Sequence, residues 1–386
     1  MIVFDKKLLH NTFLFTEAKR LNDQGFISKE QLHEIKQQLP MLTSHENLLV
    51  RIGFFILGCL LFSSLIGVIS LFIIGLAGSH FAVITFFYTL LGILASEFLA
   101  RRQRQYGYGL DDAFILGFQG FFCATIGVAF ESPLATFIAA AFIGLVACIR
   151  YVHTLSLLLS LIGITGSICY AILKLKIVAS SFLPFILLLL AISFYCIFTK
   201  ITKTYKFNYY TKSILLLQGF SLLLGYFSMN YLVVRELSES LLELTIAKGE
   251  DIPFAFLFYG FTFLVPVFYM FFSLYSKDKL MLYIGFLTFG FSIFTFRFYY
   301  SVLPIEAALL SGGALLFVVA YFAIRKLRDK ETGITLKPAK GTKTDLLTNL
   351  EAFVIATQVD LKPMESQSKM PFGGGGFSGG GAGESF

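Results

Sequence analysis

The segment "FTFRFYYSVLPIEAALL" (294–310) sets Arg297 and Glu306 inside otherwise apolar sequence. Such a pair can gate a solute or a proton, or it can tie two helix ends together where they meet water. A charge at the centre of a bilayer costs about 2.5–3.5 kcal/mol on insertion scales, so groups found there usually serve a function. Near the boundary a long side chain snorkels out cheaply. A helix starting at Lys279 carries Arg297 about 27 Å across, close to the far surface. Glu306 follows Pro304 at the start of the next apolar run, at the same depth. The expectation is a structural pair across a short outer hairpin, with a gate as the alternative.

Other polar groups at depth are few. Gln119 is the clearest, with Ser63, Ser64, Ser160 and Thr165 as weaker ones, and Pro184 and Pro266 can kink their helices. Glu97, Asp111 and Asp112 fall at span ends close to Arg101, Arg102 and Arg104, and Glu131 lies in a tight turn before Pro133. Arg297, Glu306 and Gln119 are therefore the candidate ligand-binding residues, in a membrane interior expected to be chemically quiet. A lipid-modifying enzyme using Glu131, Arg297 and Glu306 is a third, weaker reading.

Catalytic and metal signatures are missing. The histidines (His10, His33, His45, His80 and His153) form no H-E-x-x-H pattern, and no G-x-x-x-x-G-K-[ST] occurs. A G-x-S-x-G string at Gly376–Gly380 sits in a glycine-rich tail, without the strand and helix that a nucleophile elbow needs. The five cysteines (Cys59, Cys123, Cys148, Cys169 and Cys196) all lie in apolar runs and read as small buried hydrophobes. No enzyme, cofactor or metal centre is expected.

The elements that must hold these residues are membrane spans. Of 386 residues, 56% are hydrophobic and 14% charged, against about 25% charged in soluble domains. Apolar runs of about 20 residues match the hydrocarbon thickness of a bilayer. We read an all-α, polytopic transmembrane helix bundle of about ten spans, near 52–75, 81–99, 110–130, 133–149, 154–173, 178–198, 213–234, 253–275, 280–301 and 304–324. The net charge of +7 comes from basic residues flanking spans and in the tails, where they orient helices and meet anionic lipid; no nucleic-acid partner is expected. With the N-terminus cytoplasmic, inside loops hold Arg101, Arg102, Arg104, Arg150, Lys200, Lys203, Lys206, Lys212, Lys277 and Lys279. Outside loops hold only Lys174, Lys176, Arg235 and Lys248. Both termini are thus expected inside. Small-xxx-small pairs (Ser63/Gly67, Ala140/Gly144, Gly163/Ser167) favour close helix approach.

Residues 1–48 read as a cytoplasmic helical-hairpin cap. Phe13, Phe15, Ala18 and Leu21 line a first helix that Gly25 ends, and Ser28 with Gln31 makes a capping box for a second, lined by Leu32, Ile35 and Leu39. So small a hairpin buries little alone and must dock on the membrane domain (49–324) or on a partner. Residues 235–251 read as an interfacial helix on the outer leaflet. Residues 325–386 form a basic juxtamembrane segment and a disordered glycine-rich tail.

The stretch "LNDQGFISKEQLHEI" resembles the cap of a bacterial family of predicted multi-span membrane proteins of unknown function. The matched pattern L-x-x-x-G-x-I-S-x-E-Q falls on Leu21, Gly25, Ile27, Ser28, Glu30 and Gln31. The resemblance implies a bacterial inner membrane. The closing "GGGGFSGGGAGESF" is similar to tails of TPM-domain membrane proteins, and Phe377 and Phe386 are the residues a partner would read there. The function expected from the whole is a non-enzymatic scaffold or accessory subunit recruiting protein partners through cap and tail. A small-solute or ion transporter is the alternative.

Overall fold

In the computed structural model, the structure describes residues 2–23, 25–45, 47–77, 81–175, 179–204, 208–242 and 251–300, with scattered helical positions between 307 and 325. Twelve α-helices occupy the described residues: α1 (Lys6–Asp23), α2 (Lys29–Gln38), α3 (Leu48–Ala77), α4 (Phe81–Arg101), α5 (Leu110–Phe130), α6 (Pro133–Tyr151), α7 (Thr154–Leu175), α8 (Leu183–Thr204), α9 (Thr211–Met229), α10 (Tyr231–Leu242), α11 (Ala255–Ser276) and α12 (Lys279–Tyr300). Nine of them, all but α1, α2 and α10, are long and apolar enough to cross a membrane. The chain is a multi-pass helical membrane protein. The tenth expected span and the whole tail, with Glu306, Phe377 and Phe386, lie outside the fully described residues.

Spans pack mainly against sequence neighbours, α4 on α5, α6 on α7, α8 on α9 and α11 on α12, with α5 also touching α3 and α6. Contacts of α7 with α8 and α9 join the first five spans to the rest. Glycine sets the closest approach. A Cβ on Gly144 would stand 2.6 Å from the Ser156 carbonyl oxygen, and one on Gly163 would stand 2.4 Å from the Ala141 backbone nitrogen. Ser160 Oγ uses that proximity to donate to the Ala141 carbonyl at 2.8 Å. Two of the three small-residue pairs therefore contain a contact glycine. Gly67, in the third, has nothing within 4 Å of its Cβ position.

The cap folds as its sequence implies and docks on its own membrane domain. Gly25 takes φ +81° between α1 and α2, and Ser28 and Gln31 form the reciprocal capping box. Ala18, Ile27 and Ile35 make a small core of the hairpin's own. Phe4, Leu9 and Leu42 instead join Ile115, Phe118, Ala147, Tyr151 and Val152 of the spans. Phe13 sets its ring against Tyr106 and Tyr209. Backbone bonds complete the seal: Val3 N–H to the Arg150 carbonyl (2.9 Å), Thr43 N–H to Arg104 (2.9 Å) and Tyr106 N–H to Thr43 (3.0 Å).

Candidate functional site

Span parity decides which side chains can meet. The start of α3, the end of α4, the start of α5, the end of α6 and the start of α7 all lie under the cap. There Arg51, Asp111, Asp112 and His153 converge. Asp111 turns back on the loop before its helix, accepting from the backbone N–H groups of Gly107 (2.7 Å), Tyr108 (3.0 Å) and Gly109 (2.9 Å). Those N–H groups converge because Gly107 and Gly109 adopt φ +64° and +108°. A Cβ on Gly109 would also fall 2.2 Å from the Arg51 carbonyl oxygen, so only glycine fits. Stacked over this loop are His45, Phe54 and Tyr108.

Asp112 faces the interior, its side chain only 6% exposed. Arg51 grips its Oδ2 through Nε (2.7 Å) and Nη2 (2.6 Å). His153 Nε2 stands 3.1 Å from Oδ1, outside strict hydrogen-bond alignment. The tautomer of His153 follows from its place before α7. Its Nδ1 accepts from the Ser156 backbone N–H (3.3 Å), capping the helix, and lies 2.7 Å from Ser156 Oγ. An accepting Nδ1 leaves the proton of the neutral ring on Nε2, towards Asp112.

Gln119 extends the chain inward. Its Nε2 donates to Ser156 Oγ (2.8 Å) and to the Ile115 carbonyl (2.7 Å), and the residue has no exposed surface. Its Oε1 is buried with no partner. Donors therefore run one way, from Gln119 to Ser156 to His153, with the dipoles and the Arg51 charge all aimed at Asp112. The sequence singles out Gln119 as the clearest polar residue near the midplane. It meets Ser156 in the first turn of α7, so the α6–α7 turn is sunk relative to the start of α5, with Phe4, Leu9 and Leu42 of the cap packed against the end of α6.

Glu97 serves a separate cluster. It pairs with Arg101 (2.8 Å) and Arg150 (2.5 Å) and accepts from the Tyr151 hydroxyl (3.0 Å). The expected grouping of Asp111 and Asp112 with Arg101, Arg102 and Arg104 is thus corrected: the aspartates turn inward to Arg51, His153 and loop N–H groups. Tyr106, in the loop between, has its phenol pushed up to about 12, chiefly by burial.

The second half is not quiet either. α9, α11 and α12 share a buried polar seam. Tyr226 hydroxyl lies 2.8 Å from Ser292 Oγ, and Asn230 Nδ2 donates to Tyr226 (2.9 Å) and to Thr295 Oγ1 (3.1 Å). Ser292 Oγ donates to the Thr262 carbonyl (2.5 Å), one turn from the buried Pro266. Towards the cap side, Gln218 bonds to Asp278. At the far side, the Tyr231 hydroxyl donates to Asp251 (2.5 Å) and accepts from Arg235 (2.9 Å). Burial pushes that phenol up. Arg235 also pairs with Glu239 across one turn of α10 (3.2 Å). Of the helix expected over 235–251, the part up to Leu242 is helical, in α10, whose Tyr231 and Val234 pack with Met229, Ile252 and Phe258; residues 243–250 lie outside the described residues.

Arg297 lies in the last turn of α12; its pairing with Glu306 falls outside the described residues. Among the described residues no group of histidine, cysteine and carboxylate side chains is arranged to hold a metal ion. No family model, curated protein or solved structure matches this chain.

Proposed function

We propose that this protein is a small-solute or ion transporter of a bacterial inner membrane, with Asp112, His153 and Arg51 as its charge-bearing element. One observation carries the reading: a carboxylate in the first turn of a span, almost fully buried and set between a guanidinium and an imidazole. Ionisable groups inside spans are expensive and mark ion or solute pathways more often than packing. The seam through Tyr226, Asn230, Thr262 and Ser292 supports it, because it supplies hydroxyls and an amide beside a proline-bearing helix, as solute sites between helices do. The basic residues on the cap side support cytoplasmic termini. The chemistry needs no catalytic residue or cofactor.

The test is solvent access. Single cysteines at Gln119, Ser156, Thr262 and Ser292, in a chain whose native cysteines are replaced, should react with a water-soluble, membrane-impermeant maleimide. A cysteine at the lipid-facing Leu94 should not. Silence at all four buried positions would overturn the proposal.

A scaffold role has one observation in its favour. Phe26, at the turn of the cap hairpin, is 67% exposed while the neighbouring Ile27 is buried. An uncovered aromatic on a water-facing cap is a natural partner contact, and Phe377 and Phe386 would add a second one in the tail. Under that reading, deleting residues 372–386 or changing Phe26→Ser alters which proteins co-purify with the chain. An unchanged set removes it.

A further inference from the structure

The ion pairs of Glu97 organise a groove that the transport reading does not use. It lies at the cap-side ends of α4 and α6, holds about 600 Å³, and is lined by Ile93, Glu97, Phe98, Arg101, Arg102 and Arg150. Glu97 draws Arg101 and Arg150 together from two helices, one on each carboxylate oxygen. Arg102 adds a third guanidinium to the lining, which holds three cations against one carboxylate. Below them Phe98, 51% exposed, and Ile93 give the groove an apolar floor on the membrane side.

We infer that this groove is a binding site for one anionic phospholipid, its phosphodiester set among Arg101, Arg102 and Arg150 and an acyl chain lying on Ile93 and Phe98. The charge excess needs an anion, and guanidiniums are the side chains best matched to phosphate oxygens. The groove opens at headgroup depth, since it sits where two spans end. An apolar floor beside the cations selects an anion with a hydrocarbon tail over a free one. Basic pockets between helices recognise lipid headgroups in this way.

Native mass spectrometry of the full chain in mild detergent tests the site, with phosphatidylglycerol and phosphatidylcholine as probes. Phosphatidylglycerol should be retained under activation that strips phosphatidylcholine. The double variant Arg101→Gln/Arg102→Gln should lose about tenfold or more in that retention, the loss expected from two surface cations, while its melting temperature stays near that of the parent. Lys277→Gln/Lys279→Gln, at another cap-side loop, should retain the lipid fully. Equal retention of the two lipids, or equal losses in the two double variants, would overturn the site. So would displacement of phosphatidylglycerol by millimolar inorganic phosphate, which would make it a free-anion site.

Discussion

Asp112 and His153 face each other 3.1 Å apart from the starts of two different spans, and neither has another titratable partner as close except Arg51 on Asp112. Two helix ends, a loop and α3 are thereby tied to one carboxylate. Removing it leaves the Arg51 guanidinium without its counter-charge and His153 Nε2 without the carboxylate it faces.

The Asp112→Ala variant should therefore lose about 3 kcal/mol of stability, the low end for breaking a buried pair, because Arg51 is 36% exposed and partly screened. Glu239→Ala, which breaks an i,i+4 pair on α10 while Arg235 keeps Tyr231 and Asp251, should lose at most about 0.5 kcal/mol. Denaturant titration in detergent micelles measures both. Equal losses would show that the Asp112 cluster bears no special load.

Close contact between α6 and α7 predicts a second asymmetry. Gly144→Val drives a side chain into the Ser156 carbonyl and should destabilise by about 1–3 kcal/mol. The same change at Gly67, where the Cβ position is open, should leave melting almost unaltered. The comparison fails if Gly67→Val proves the more damaging.

In the cap, Ser28→Ala removes the acceptor for the Gln31 N–H and half of the reciprocal box, at a cost of about 1 kcal/mol. Faster protease cleavage between α1 and α2 is the expected readout. Unchanged cleavage would mean the docked surface alone holds the hairpin.

Tyr106 gives a pH-dependent outcome. Its folded-state pKa, about 12, lies above the ordinary tyrosine value. The stability linked to this neutral phenol is complete below about pH 10 and is lost as pH climbs towards 12. Since the ring packs on Phe4 and Phe13, the cap should loosen over that window. Tyr106→Phe should keep the cap protease-resistant there; identical alkaline loosening in both proteins would contradict the assignment.

Much of the architecture was legible from one residue to the next. Span lengths follow from hydropathy, and Gly25, Ser28 and Gln31 announce the cap because turn and capping chemistry are local. The Asp112 site was harder, since Arg51, Asp112 and His153 belong to three different sequence neighbourhoods. The usable signal was parity: alternate crossings bring the starts of α3, α5 and α7 to one side, where these three residues stand. Gln119 drew notice as a lone polar residue, but its partner Ser156 looks like any helix serine. The seam was missed for the same reason. Tyr226, Thr262, Ser292 and Thr295 are mild groups individually, and only helix packing gathers them.

Pinning Val3 to the carbonyl of Arg150 has a consequence for biogenesis. The cap is made before the spans, yet the segment around Val3 has no seat until four crossings have left the ribosome and been threaded into the lipid. Until then Phe4 and Leu9 lack the span residues that bury them, and they stay open to chaperones. Completion of the fourth crossing is the moment at which the newborn chain can close over its own entrance.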